Sequence, residues 1–128
     1  MTWRTMALPS LVVLAQAVAA SGFAADPPPG EAAFLEQCGT CHVISRTPEE
    51  RQGPNPYGVL GRRAGSLRGF KYSKALAKQK FTWSRERIDA WLTDTAKLVP
   101  GSVMNYRQAD PALRATIIDY LEAASAAK

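Results

Sequence analysis

The chain has 128 residues, two cysteines, one histidine and a formal net charge of +5, which bounds it to one small domain with a thin apolar core. Two thiols and one imidazole fall short of the about four ligands of a structural zinc site, and no nucleic-acid-binding motif accompanies the basic charge. The N-terminal stretch has Arg4 as its only charge. It continues as an apolar run from Ala7 to Ala20, broken only by Pro9, Ser10 and Gln16, and closes on Ala19, Ala20, Ser21, Gly22, Ala24 and Ala25. A basic start, a short apolar middle and a small-residue end describe a secretory signal peptide over residues 1–24, with Gly22 and Ala24 at the two positions that want small side chains. The apolar run is about 14 residues against the ~20 that cross a bilayer, so a retained anchor is the weaker reading. Residues 25–128 are expected to form the single exported domain, in a bacterial periplasm.

The segment 26–30 (Asp-Pro-Pro-Pro-Gly) is a stiff leader that cannot enter a helix. From Glu31, the apolar positions Ala33, Phe34, Cys38 and Cys41 recur at helical spacing and predict a first helix ending near His42. Val43 to Arg68 is punctuated by Gly53, Pro54, Pro56, Gly58, Gly61 and Gly65 and reads as loop, too long for a compact domain unless something fills its interior. Tyr72 to Lys80 predicts a short helix. Thr82 or Ser84 can cap another that runs to about Ala96, with Ile88, Trp91 and Leu92 on one face. Pro100 and Gly101 break the chain. Asp110 followed by Pro111 starts a last helix whose buried stripe is Leu113, Ile117, Tyr120, Leu121 and Ala124. With no alternating strand pattern and no internal repeat, the fold reads as all-α with one long glycine- and proline-rich loop.

Cys38-Gly39-Thr40-Cys41-His42 is the C-x-x-C-H run of c-type haem attachment. Two thiols three residues apart at a helix end can reach the two vinyl groups on one edge of a porphyrin, and the next histidine then sits beneath the iron. A thioredoxin-like redox pair needs a preceding strand, and a plain disulfide leaves His42 unexplained. One covalent haem c, attached through Cys38 and Cys41, is the expected cofactor. Since His42 is the only histidine and Met1 and Met6 fall in the signal segment, Met104 is the remaining strong candidate for the second axial ligand. It follows a Pro-Gly turn that can direct a side chain inward. Taken alone, a methionine is more often core filler. Beside this motif it becomes the expected sixth ligand. A soft sulfur donor favours ferrous over ferric iron, and an iron with both axial positions filled offers no vacancy to oxygen or peroxide. Electron transfer is therefore expected, with no catalytic residue.

These residues resemble the class I cytochromes c, particularly the mitochondrial and bacterial cytochrome c2-like group, over nearly all of 30–125. Gly30 and Phe34 match the family's first helix, which packs on its last. Gly53-Pro54-Asn55, Gly61-Arg62, Phe70-Lys71-Tyr72, Phe81-Thr82-Trp83, the run from Val99 to Met104, and Tyr120-Leu121 follow in the family's order. The resemblance implies three main helices and several short ones wrapped around the haem. It also implies that the Pro54 carbonyl accepts the proximal ring N–H, and that Arg62, Tyr72 and Trp83 hold the propionates. On spacing alone, Tyr72 and Trp83 read equally as core aromatics and Arg62 as a solvated cation. The chain departs from the family at several places. Trp91 stands where many relatives carry a tyrosine near the methionine sulfur, Leu76 where an asparagine orders an internal water, and Val103 where a rim lysine is common. The stretch between Met104 and the last helix is one residue shorter.

From Arg51 to Arg85 there are nine basic residues and no acidic one. Such a one-signed region can steer acidic-surfaced redox proteins or membrane redox complexes into transient contact with a monomeric carrier, the bland alternative being a solvated face. The competing functions are a dedicated cytochrome subunit of a periplasmic dehydrogenase and, from another class, a haem peroxidase-type enzyme or ligand sensor, either of which needs an open sixth site.

Overall fold

The computed structural model describes Met1 and residues 26–126, so the expected signal peptide lies outside the described residues. In chain order the helices are α1 (Glu31–Gln37), α2 (Lys74–Ala77), α3 (Arg85–Thr93), α4 (Thr95–Leu98) and α5 (Pro111–Ala126). Among the described residues no strand forms. Arg63 and Thr82 make one isolated antiparallel bridge.

Helix α5 is the element on which α1 and α3 pack. Gly30 caps α1 in the left-handed region (φ 88°), where a Cβ would come within 2.7 Å of the Thr116 carbonyl oxygen and 2.9 Å of Tyr120 Cβ. Only glycine lets α1 lie this close to α5. The rings of Phe34 and Tyr120 then meet at 5.4 Å. Helix α1 stops at Gln37, short of the predicted end near His42. Cys38 leaves helical angles (φ −122°), and the next residues form a separate turn in which the N–H groups of Cys41 and His42 both donate to the Cys38 carbonyl at 3.1 and 2.9 Å.

The predicted helix from Tyr72 to Lys80 shrinks to α2. Ser73 caps it by accepting from the Leu76 N–H at 3.2 Å. The Gln79 side chain ends it by donating to the Ala75 carbonyl at 3.0 Å, the acceptor its own backbone would otherwise have used. Ser84, not Thr82, caps α3. The helix expected to reach Ala96 breaks at Asp94, which is extended (φ −165°) and turns its carboxylate to the Lys97 N–H at 3.2 Å, capping α4 instead. In α5, Asp110 caps as expected, with its Oδ1 2.9 Å from the Ala112 N–H. The buried stripe is Ile117, Ile118, Tyr120 and Leu121, with Leu113 and Ala124 only partly covered. Arg114 is also buried on this helix, tolerated because it bonds Asp89 of α3 at 2.8 Å and donates to the carbonyls of Gln108 and Ala109.

Between Gln37 and Lys74 the chain has no helix. The buried amide of Asn55 organises this loop. Its Nδ2 donates to the carbonyls of Ser45 (2.6 Å) and Thr47 (3.2 Å), and its Oδ1 accepts from the N–H of Tyr57 at 2.9 Å. The loop so braced arches over a cavity.

Candidate functional site

The cavity has a volume of about 470 Å³, inside the range of small-molecule and cofactor sites. Cys38, Cys41, His42, Pro54, Arg62, Tyr72, Trp83, Trp91 and Met104, all nine residues singled out from the sequence, line it together. The remaining wall is largely apolar, with Phe34, Leu76, Ile88, Leu92, Ile117 and Leu121 drawn from the core. Leu76 thus presents an aliphatic wall at the position noted as a departure.

On one side the turn at 38–42 delivers two thiols and an imidazole. The thiols are free and half-buried. Burial, with a smaller contribution from neighbouring Cys41, pushes the Cys38 thiol up to about 11. Redox-active C-x-x-C pairs work through a depressed thiol pKa, so the raised one speaks against that reading. A strand before Cys38, which the thioredoxin-like arrangement needs, is also missing among the described residues. The Nδ1–H of His42 donates to the Pro54 carbonyl at 2.8 Å. That bond fixes the tautomer and leaves the Nε2 lone pair free to bind a metal. Burial lowers the His42 pKa and the Pro54 bond acts the other way, the net effect keeping the ring neutral and able to ligate. Gly53 forms the floor: a Cβ there would stand 2.6 Å from Nδ1 and closer still to Cε1. The imidazole is clamped between a carbonyl and a bare backbone.

Met104 comes from the segment after the Pro100-Gly101 turn. Exposure alternates along it, with Ser102, Met104 and Tyr106 half-buried and Val103 84 % exposed, the two-residue period of an extended chain. Two groups that the sequence reading did not single out hold this segment. Thr95, fully buried at the start of α4, bonds the backbone of Met104 and Tyr106. Gln37, next to Cys38, accepts at Oε1 from the Tyr106 hydroxyl (3.1 Å) and from Gln108 Nε2 (3.3 Å). No sequence signal marks either, because a threonine in the first turn of a helix and a glutamine in the last are ordinary residues.

Arg62 is half-buried and donates only to the carbonyls of Tyr57 (3.1 Å) and Asn55 (3.2 Å). Among the described residues no carboxylate pairs with it. Burial lowers its pKa, against an upward effect of Tyr72. A partly desolvated cation without an anion suits an anionic ligand group. The Tyr72 hydroxyl accepts from the Leu67 N–H at 3.3 Å, which leaves its own proton available to the cavity. Trp83 and Trp91 are buried edge-to-face at 5.6 Å, and Trp83 meets Phe81 in the same way at 4.9 Å. They are therefore core aromatics and cavity wall at once. Thiols at one end, a neutral imidazole, a thioether, an apolar lining and an unpaired guanidinium fit an iron porphyrin carrying carboxylates.

Outside the cavity, the basic run is less uniform than its sequence. Arg85 bonds Asp119 (2.5 Å) and Glu122 (2.7 Å) of α5 and is neutralised, while Arg62 is spent on the cavity. Arg63, Arg68, Lys71, Lys74, Lys78 and Lys80 remain exposed, without a carboxylate partner among the described residues, as does Arg51, which donates to the Gly39 carbonyl.

No protein-family model matches the chain. Cytochrome c of Ginkgo biloba is 32 % identical over 101 residues, spanning 78 % of this chain and 89 % of its own. Cytochrome c2 of Rhodopila globiformis is 38 % identical over 98 residues, spanning 76 % and 92 %. Among solved structures, cytochrome cH from Methylobacterium extorquens shares the fold with a TM-score of 0.68 at 36 % identity, covering 74 % of this chain and 95 % of that one.

Proposed function

The chain belongs to the class I cytochromes c, and we propose that it works as a soluble monomer in the periplasm, passing electrons between acidic-surfaced redox proteins or membrane redox complexes. It is a mono-haem electron carrier that holds one covalent haem c, and it is not an enzyme. In this reading Cys38 and Cys41 would hold the haem through thioether bonds, and His42 and Met104 would ligate its iron. The observation that carries it is that both thiols, the neutral imidazole and the thioether line a single apolar cavity.

When bound, the haem supplies a one-electron ferric–ferrous couple. The protein's residues set its terms. The Pro54 carbonyl, 2.8 Å from His42 Nδ1, orients the ring and raises its basicity toward the metal. The apolar wall disfavours the more highly charged ferric state, in the same direction as a thioether ligand. Arg62, with Tyr72 and Trp83, would hold the propionates, and Trp91 would shape the wall on the methionine side. With His42 and Met104 both ligating, the iron would have no vacancy for small ligands, which suits a carrier.

The six exposed basic side chains from Arg63 to Lys80 support a partner of opposite charge, since like-signed surface charge steers encounter. Export rests on residues 1–24, read as a cleaved signal. Among the described residues no helix is long and apolar enough to cross a membrane. A visible spectrum with a redox titration on the purified mature protein tests the reading. The expected result is a c-type haem, a low-spin ferric state with the weak long-wavelength band of methionine ligation, and an N-terminus at Ala25. A high-spin ferric spectrum would overturn the ligand assignment, and an intact residue 1 would overturn the signal.

A further inference from the structure

Thr95 is the most deeply buried polar side chain of the described residues, at 0 % exposure, and none of the functions above uses it. It is the first residue of α4, where a backbone N–H has no acceptor within the helix. That N–H donates outward to the Tyr106 carbonyl at 3.2 Å. The side chain completes the junction. Its hydroxyl donates to the Met104 carbonyl at 2.7 Å and accepts from the Tyr106 N–H at 3.1 Å. One hydroxyl thus holds the peptide groups on both sides of Asn105, in a segment with no regular structure of its own. We propose that Thr95 is the positioning residue that fixes the Met104 sulfur over the cavity. The inference rests on the reading of Met104 as an axial ligand.

The reasoning is geometric. Met104 has several rotatable bonds, so delivering its sulfur to one point requires a fixed backbone beneath it. The neighbouring Ser102 hydroxyl lies 3.4 Å from the Met104 carbonyl, longer than the Thr95 bond by 0.7 Å and a weaker hold on the same atom. Replacing the hydroxyl by a methyl of the same shape leaves the half-buried Tyr106 N–H without its partner and the Met104 carbonyl with only the longer Ser102 contact. The chain can restore those bonds only by moving the segment, and Met104 moves with it.

The test compares holoprotein of Thr95→Val, Thr95→Ser and Met104→Ala with wild type, reading the methionine-to-iron charge-transfer band and the rate of cyanide binding to the ferric form. Thr95→Val is expected to weaken the band and bind cyanide at least about fivefold faster, while Thr95→Ser, which keeps the hydroxyl, stays within about twofold of wild type. If Thr95→Val lowers the melting temperature but leaves band and cyanide rate unchanged, Thr95 is a structural residue and the inference fails while the Met104 reading stands. If Met104→Ala matches wild type in both readouts, the ligand reading itself fails. Should Thr95→Val give no holoprotein, amide exchange in wild type decides. Slow exchange at the Tyr106 N–H beside fast exchange at the flanking Asn105 and Arg107 supports the hydroxyl bond, and equal exchange at all three overturns it.

Discussion

The two walls of the cavity are built by different means. On the cysteine side everything that fixes the imidazole lies within residues 38–54: the turn closed on the Cys38 carbonyl, the two thiols, the Pro54 acceptor and the bare backbone of Gly53. On the methionine side the segment around Met104 makes almost no bonds with itself. It is held from outside by Thr95 of α4, by the Leu92 carbonyl of α3 (2.9 Å from the Gln108 N–H), by Gln37 of α1 and by the Arg107–Asp94 pair. One ligand position is a local property of a short stretch of chain. The other is a product of the assembled fold. The methionine side should therefore loosen first whenever the fold is stressed, because it loses its supports with the helices that provide them.

The strongest way to break the comparison is to remove the local anchor. A Cys38→Ala, Cys41→Ala double variant cannot form the thioether bonds, and a cavity of about 470 Å³ in so small a domain would then have no permanent filling. The expected result is loss of most helical signal in far-ultraviolet circular dichroism. A fully helical spectrum would show that the helices stand without the cofactor. Next in size is Gly53→Ala. Its methyl would collide with an imidazole already fixed by Pro54, so overpacking should cost about 3 kcal/mol in denaturant unfolding of the holoprotein. A cost below about 1 kcal/mol would mean that the imidazole side is compliant after all. Met104→Ala should be milder for the fold, about 2 kcal/mol given its half-buried site, while lowering the reduction potential and opening the iron to carbon monoxide. An unchanged potential would remove the distinction between the two walls.

The same contrast explains what the sequence disclosed. The Cys38, Cys41 and His42 part of the imidazole wall was legible because its residues sit at fixed short spacings, whereas the Pro54 acceptor came only with the resemblance. The set of cavity-lining residues was legible too, because the resemblance supplied their order. Helix ends were not. Gln79, Ser73 and Asp94 each compete with the backbone through a side chain, and periodicity does not report that competition. Ile118 and Arg114 were missed on α5 because a helix packed by two neighbours buries a wider stripe than one face predicts, and an arginine enters it only when Asp89 and two carbonyls happen to converge on it. Thr95 and Gln37 were invisible, since their importance lies in segments nine or more residues away.

The smallest effect concerns Asp94, and it separates two contributions to the methionine side. Its carboxylate caps α4, the helix that presents Thr95, and also pairs with Arg107 at 2.6 Å. Desolvation pushes its pKa up, but the Lys97 N–H and the Arg107 guanidinium outweigh it, and the group ends below the ordinary carboxylate value. A depressed folded value means stability that is present above the unfolded pKa of about 4 and is lost as pH falls through the folded one. Asp94→Asn keeps a capping side chain but removes the charge. Thermal melts should then lie slightly below wild type near neutrality, where the charge contributes, and converge with it in acid, a shallower pH dependence than wild type. Asp94→Ala removes the cap as well and should melt a few degrees lower even at neutral pH. If the asparagine variant instead melts as low as the alanine one, the methionine wall depends on the ion pair with Arg107 more than on the cap. The support would still reach the segment from outside, but through one ion pair at the α3–α4 junction instead of through the cap of α4.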